Sequence, residues 1–169
     1  MIILGIDPGT ATTGFGIIKK VKKTMKVLDY GCIKTSPDFP DGERLKKISN
    51  ELNKLIKKHQ PKAMAVENIY FFKNLKTAMP VSQAKGVILL AAARKKIPIY
   101  EITPLQMKMA ITGYGKAEKK QVQKMIKKVL DLEENPKDKN KRKDDATDAL
   151  GIALCCLKLK NSPFKISKN

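Results

Sequence analysis

The first 18 residues constrain the fold more than any other part of the chain. Residues 2–6 form a continuous apolar run, which is typical of a strand buried on both faces. The run ends at Asp7, and Pro8-Gly9 then predicts a turn before a second strand over residues 14–21. The sequence therefore places a carboxylate at the exit of a buried strand.

The next segments predict an antiparallel meander followed by a helix. A charged connection at residues 22–24 leads into a third strand over residues 26–34. Apolar residues then recur at the spacing of an amphipathic helix: Leu45, Ile48, Leu52, Leu55 and Ile56. We expect this helix to end before Pro61. A short fourth strand over residues 63–66 ends in Glu67.

The second half of the chain alternates helices with one more strand. We expect a largely apolar helix over residues 81–94, a fifth strand over 97–102, a Lys-rich helix and a last helix over 145–159. The Lys-rich helix turns its apolar residues inward: Val122, Met125, Ile126, Val129 and Leu130. The pattern predicts an α/β fold in which a five-stranded mixed sheet, three antiparallel strands and then two parallel ones, has helices on both faces.

Length and composition indicate one domain in a reducing compartment. We expect a single domain over residues 1–160 and a basic tail over 161–169. The longest apolar run, residues 87–93, is too short to cross a bilayer, so the predicted location is the cytoplasm and no membrane partner is expected. The three cysteines suggest neither a disulfide framework nor a thiolate metal site.

The charge favours a polyanionic partner. Lys and Arg number 35 against 16 Asp and Glu, a net charge of +19, and the basic residues are clustered. Such a field attracts nucleic acid and releases its counterions. The alternative is that a Lys-rich surface only keeps the protein soluble.

Four carboxylates are candidates for one metal site. Asp7 and Glu67 end two strands, and they leave the sheet at the same edge if those strands are neighbours. Asp145 and Asp148 lie three residues apart and share a helix face. Each has a local alternative: an Asx turn for Asp7, a helix cap for Asp144 or Asp145, and a dipole-favoured first turn for Asp148. As a set on a basic chain, they favour a metal site.

Oxygen-only ligands select hard cations, so Mg²⁺ is expected and Mn²⁺ is a plausible substitute. Two such ions roughly 4 Å apart would hold a phosphodiester, activate water on one side and stabilise the leaving oxygen on the other. This is nuclease chemistry. Helical geometry alone does not choose between Asp144 and Asp145, since either shares a face with Asp148.

Other chemistries have little support in the sequence. His59 is the only histidine, and its position at a Lys-rich helix end predicts a solvated ring beside that helix's last carbonyls. The segment from Gly113 to Ala117 lacks the features of a phosphate-binding loop. Tyr70, Phe71 and Phe72 follow Glu67 closely, and either base stacking or packing under a loop would explain them.

Five blocks, in order, resemble the RuvC family of bacterial Holliday junction resolvases: GIDPGTATTGFGII, AVENIYFFKN, SQAKGV, GYGKAEKKQVQKMI and DDATDALGIAL. The resemblance implies an RNase H-like fold and a homodimer that needs two Mg²⁺ per subunit. It further implies paired nicking of opposed strands of a four-way DNA junction, in homologous recombination and DNA repair. The RuvA-RuvB branch-migration complex is the implied protein partner.

The resemblance also assigns residues. It implies that Asp7, Glu67, Asp145 and Asp148 are the catalytic metal ligands, which leaves Asp144 over. It implies that Tyr70 contacts the junction and that Lys108 and Lys119 are the basic residues beside the site. Phe71 and Phe72 leave open which ring makes that contact. The helix after the fourth strand is the implied dimer contact, and the implied products carry a 5′-phosphate and a 3′-hydroxyl.

Three other functions remain as alternatives. An ATPase related to actin and sugar kinases shares a G-I-D-x-G-T opening, but its fold needs two copies of the unit and 169 residues are too few. An RNase H-like nuclease acting on RNA would cut an RNA precursor better than branched DNA. A non-catalytic junction-binding protein would show no metal-dependent cleavage.

Overall fold

The computed structural model describes residues 1–68, 75–132 and 143–159, with the side chains of 75–77 and 143 outside that description. Within these ranges the chain forms five strands, β1 (Ile2–Asp7), β2 (Thr12–Val21), β3 (Thr24–Lys34), β4 (Ala63–Glu67) and β5 (Ile99–Ile102). It also forms five helices, α1 (Asp41–His59), α2 (Leu75–Arg94), α3 (Pro104–Thr112), α4 (Lys119–Leu130) and α5 (Lys143–Leu159). Across these ranges, no helix combines the length and the apolar character that a membrane span requires.

All five strands belong to one sheet, in the order β3-β2-β1-β4-β5. The pairs β1-β2 and β2-β3 are antiparallel, whereas β1-β4 and β4-β5 are parallel. The predicted mixed sheet is therefore confirmed. Ile6 lies opposite Val66 in the parallel pair, so Asp7 and Glu67 emerge side by side at one edge.

Alternate residues of the strands feed two separate cores, one on each face of the sheet. Leu4 and Met64 pack with α1 and α2, in a core that also holds Ile48, Leu52 and Ile88. Ile3 and Ala65 pack on the other face with α3, α4 and α5, in a core that also holds Ile126, Leu150 and Leu154. The prediction of helices on both faces is confirmed.

The central helix α5 is buried on nearly all sides. Every residue from 149 to 157 is buried, because the sheet covers one side of the helix and α3 and α4 cover the other. No side of a helix enclosed in this way faces solvent, so no side of it requires polar residues. Its apolar sequence therefore reflects its central position.

Several element boundaries differ from the sequence prediction. Strand β2 begins earlier than predicted, because Thr12 pairs with Lys34, and β3 begins earlier because Thr24 pairs with Val21. Only Lys22 and Lys23 form the turn between them, with Lys22 at φ 53°. Strand β5 begins only at Ile99. Helix α2 begins at Leu75, before Pro80, although proline usually marks a helix start. The Pro80 carbonyl accepts a hydrogen bond of 2.6 Å from Thr10 Oγ1, a contact distant in sequence.

The sequence analysis did not predict α3, although its signal is local. Thr103 caps the helix and forms a capping box with Gln106, Pro104 occupies the first turn, and Gly113 ends the helix at φ 75°.

Two side-chain predictions were also wrong. Val129 is 36% exposed, because the buried stripe of α4 runs through Val122, Ile126 and Leu130.

His59 is not solvated. Its ring is only 9% exposed, and Nε2 lies 3.0 Å from Asp29 Oδ2 on β3. Lys58 Nζ reaches the same oxygen at 2.9 Å. The charge on a neighbouring strand therefore decides the position of this ring, and the helix's own carbonyls do not.

Candidate active site

Acidic side chains from distant parts of the chain meet at the exit of β1. Asp7 ends that strand, and Asp145 and Asp148 lie in the first two turns of α5. One carboxylate oxygen of each residue lies within 4.8 Å of the others, and all three side chains are partly buried. The predicted convergence of Asp7 with the Asp145/Asp148 pair is therefore observed.

Glu67 adjoins this cluster from β4. Its carboxyl group forms a side-chain hydrogen bond with that of Asp7. A hydrogen bond between two carboxyl groups requires a proton on one of them. This contact is one of the causes that raise the pKa of Asp7.

Glycines on the sheet allow α5 to approach closely enough to bring its acids to Asp7. A Cβ atom at Gly5 would collide with the Ala149 carbonyl, and one at Gly14 would collide with the Asp145 carbonyl. At Gly16 it would lie 2.7 Å from the Leu150 nitrogen. The helix backbone thus rests directly on the sheet, and this contact fixes the height and rotation of Asp145 and Asp148.

The cluster holds more negative charge than its one ion-paired cation, Lys119, can balance. Burial, acting together with the charges of Glu67, Asp148 and Asp145, raises the pKa of Asp7 to about 8. Burial also raises the pKa of Glu67, and the Asp148 charge adds to this effect, although the hydrogen bond to Asp7 and the Lys119 charge oppose it. A hard cation bound among these oxygens would relieve both effects.

Helix α4 supplies two donors to Asp148. Lys119 Nζ lies 2.7 Å from Asp148 Oδ2, and Gln123 Nε2 donates to Asp148 Oδ1 at 3.2 Å. Burial would lower the pKa of Lys119, but its hydrogen bond to Asp148 and the nearby acids raise it above the ordinary value. Lys119 therefore stays a cation at the rim of the cluster, with its side chain 58% exposed.

A second polar group lies at the same end of the sheet, on the face that α2 covers, and the sequence analysis missed it. Lys85 Nζ on α2 is 3.0 Å from Glu101 Oε2 on β5 and 3.5 Å from Asn68 Oδ1. Both ionic side chains are about one-sixth exposed, 15% for Lys85 and 16% for Glu101. This ion pair joins α2 and β5 to the residue that follows Glu67, and so helps to fix where β4 ends.

The other predicted residues have different outcomes. Asp144 is exposed and lies outside the three-residue cluster, so the fold selects Asp145 as the partner of Asp148. Lys108 is half-buried on α3, and its amine makes no ion pair with a carboxylate of residues 1–68, 75–132 or 143–159. Tyr70, Phe71 and Phe72 lie outside the described residues.

The sequence analysis also missed Gln123, because the residues around it give little indication of its role. A glutamine inside a Lys-rich helix resembles any solvated residue. Its role becomes visible only when α4 and α5 are packed together. The same holds for Lys85 and Glu101, which are 16 residues apart and belong to different elements.

Comparisons with known proteins agree with this arrangement. The family model described as "Crossover junction endodeoxyribonuclease RuvC" matches residues 3–156. Proteins of that name from Desulforamulus reducens and Alkaliphilus metalliredigens are 52% and 54% identical to the chain over 155 residues, which is 92% of this chain and 92% of each relative.

Solved structures share the fold. Thermus thermophilus RuvC in complex with a Holliday junction substrate superposes with a TM-score of 0.89 at 31% identity, covering 100% of this chain and 99% of that one. The yeast mitochondrial Holliday junction resolvase superposes with a TM-score of 0.70 at 17% identity, covering 94% and 78%, which shows a shared fold alone. The RNase H-like fold predicted from the sequence is confirmed. The chain belongs to the RuvC family of crossover junction endodeoxyribonucleases.

Proposed function

We propose that the chain resolves Holliday junctions by nicking two opposed strands of a four-way DNA junction, in homologous recombination and DNA repair. The observation that carries the proposal is the cluster of Asp7, Asp145 and Asp148, whose ligand oxygens lie within 4.8 Å of one another. The structural neighbour from Thermus thermophilus is bound to a Holliday junction substrate, which supports the same substrate class. The net charge of +19 suits such a polyanion.

The ligand set favours Mg²⁺. Asp7, Glu67, Asp145 and Asp148 offer only carboxylate oxygens, which suit hard divalent cations. The raised pKa values of Asp7 and Glu67 reflect burial and crowding of negative charge that such a cation would offset. We propose that these four residues hold two Mg²⁺ per subunit, with Mn²⁺ able to substitute. Bound ions of this kind supply an activated water and stabilise charge on the leaving oxygen.

The basic residues act on the phosphate. Lys119 Nζ lies at the rim of the acids, so it can neutralise charge that builds up on a phosphate during hydrolysis. Lys108, one element earlier, would contact the junction backbone nearby. Cleavage of the bond between phosphorus and the 3′ oxygen leaves a 5′-phosphate and a 3′-hydroxyl, ends that a ligase can rejoin.

A homodimer would explain the outer surface of α2. Met79 is 72% exposed and Leu90 is 51% exposed, and a Cβ atom at Gly86 between them would have no neighbour within 4 Å. Large apolar side chains around a small residue suit close contact with a second copy of the same helix. Two active sites related by a twofold axis would then cut the two opposed strands symmetrically.

The remaining expectations extend this proposal. Tyr70 would stack on a junction base, and the RuvA-RuvB complex would deliver the junction. Residues 1–160 would form one nuclease domain with a basic tail at 161–169. A substrate of chromosomal DNA would place the protein in the cytoplasm.

The decisive experiment compares a synthetic four-way junction with a duplex of the same sequence. The purified protein is incubated with each DNA in Mg²⁺, in Mn²⁺ and in EDTA, and the products are mapped on both strands. We expect paired, symmetric nicks in the junction only, with 5′-phosphate ends, and no cutting in EDTA. Equal cutting of the duplex, or preferential cutting of an RNA substrate, would contradict the proposed substrate.

A further inference from the structure

Asp148 differs from the other acids in that both of its oxygens are held from outside the cluster. Lys119 reaches Oδ2 and Gln123 reaches Oδ1, at 2.7 Å and 3.2 Å. The two donors lie four residues apart on α4, so they project from the same face of that helix. Asp148 is only 15% exposed, so its carboxylate has little water to replace either donor.

The two donors differ in how they respond to a cation at the cluster. Lys119 is positively charged, so a divalent ion on Asp148 would repel it and weaken its hold. Its side chain is 58% exposed and can turn towards solvent or towards an incoming phosphate. The Gln123 amide carries no net charge, so a divalent ion on Asp148 would not repel it as it repels Lys119. Gln123 can therefore keep its hydrogen bond when Lys119 leaves.

We propose that Gln123 is a positioning residue that holds Asp148 in the orientation in which it binds metal, while Lys119 turns from Asp148 to the scissile phosphate. This inference rests on the proposed function for its second half, because the phosphate enters only with DNA. The first half concerns the metal alone. Donors that orient a metal ligand commonly change metal affinity 10- to 100-fold when removed.

Gln123 is not needed to join the two helices. Ile126 is fully buried, and its Cδ1 atom fills the space that the missing side chain of Gly151 leaves on α5. Apolar contact between α4 and α5 therefore persists without the amide. A substitution at position 123 that keeps the side-chain length should leave the fold intact, so an effect on metal binding can be separated from an effect on folding.

The test uses Gln123→Met, which keeps the length of the side chain and removes its N–H donors. The matched control is Lys124→Met, which places the same side chain at the next, exposed position of α4. Mn²⁺ binding to each DNA-free protein is measured by titration calorimetry, and unfolding is followed without metal. Junction nicking is then measured across a Mg²⁺ titration.

We expect Gln123→Met to bind Mn²⁺ roughly 10-fold more weakly and to need roughly 10-fold more Mg²⁺ for half-maximal nicking. Its rate at saturating Mg²⁺ should stay within about 3-fold of the parent, and the control should match the parent in both assays. Unchanged Mn²⁺ affinity would overturn the inference, as would a lost rate that excess Mg²⁺ does not restore. If the parent protein does not nick junctions at all, the proposed function fails, while the Mn²⁺ titration still decides the role of Gln123.

Discussion

Two groups of charged side chains lie at the same end of the sheet but on opposite faces, and their charges are balanced to different degrees. Lys85 and Glu101 form a balanced ion pair with a contact of 3.0 Å. Asp7 and Glu67 are crowded by further acids: burial raises the pKa of both, and the Asp148 charge raises both further. The balanced group pairs one carboxylate with one cation, whereas the unbalanced group has several carboxylates for Lys119 and gains by binding a further cation. The comparison teaches that net charge, rather than burial, separates the candidate catalytic group from the structural one.

The largest expected effect is on the unbalanced group. Asp7→Asn removes a metal ligand, and metal ions contribute several kcal/mol to the stabilisation of transition-state charge. We expect junction nicking in Mg²⁺ to fall by about 1,000-fold or more. Binding to the junction without metal should persist or tighten in a gel-shift assay, since a repelling charge is gone. Nicking near the parent rate would show that the acidic cluster is not the catalytic centre.

Removing one partner of the balanced group should affect the fold first. Lys85→Met removes a cation 3.0 Å from the partly buried Glu101 carboxylate, which should lower the free energy of unfolding by about 3 kcal/mol. Chemical denaturation measures this change. The double variant Lys85→Met with Glu101→Gln should recover part of the loss, because no net charge is then left. A single variant as stable as the parent would remove the distinction between the two groups.

The glycine contact beneath α5 offers a third test of how the acids are placed. Gly16→Ala would put a methyl group 2.7 Å from the Leu150 nitrogen, so the helix backbone must shift. We expect the free energy of unfolding to fall by about 2 kcal/mol. The Mg²⁺ concentration needed for half-maximal nicking should rise, because the displaced helix holds its acids less well placed for the metal.

Gly31→Ala is the control for this substitution. Its Cβ would meet only the movable ring of Phe15, at 3.1 Å. It should be close to neutral in both denaturation and nicking. Equal effects of the two substitutions would argue against a special role of the α5 contact.

The smallest effect concerns stability without metal. A carboxyl group whose pKa is raised in the folded state favours folding while it is protonated, and this advantage is lost as the pH rises. For Asp7 the loss should begin above the ordinary pKa of 3.8 and be complete above about 8. Asp7→Asn should therefore be more stable than the metal-free parent at pH 8, and this advantage should grow as the pH rises from 4 to 8.

Thermal unfolding in EDTA across this pH range measures the difference. It should vanish below the ordinary pKa of Asp7, where the carboxyl group is protonated in both folded and unfolded chains. Mg²⁺ should reverse the order at pH 8, because only the parent keeps the full ligand set. A parent protein whose metal-free stability rises from pH 4 to pH 8 would contradict the assigned charge balance.

The sequence by itself determined the strand exits and the order of the elements. An apolar run that ends in Asp7, and a second that ends in Glu67, predict two buried strands whose exits carry acids. The helix between the third and fourth strands allows β1 and β4 to be neighbours, and the observed strand order shows that they are. The α3 capping box was equally readable, since Thr103, Pro104 and Gln106 are consecutive or nearly so, but it was overlooked.

Only the tertiary structure decided which side chains face one another across elements. Asp144 and Asp145 both share a helix face with Asp148, and contact between α5 and the glycines of β1 and β2 selects Asp145. Gln123 and the Lys85–Glu101 pair likewise depend on how whole helices pack. The physical reason is that local propensity fixes the periodicity of a helix, whereas its rotation against the sheet is set by contacts between residues far apart in the chain.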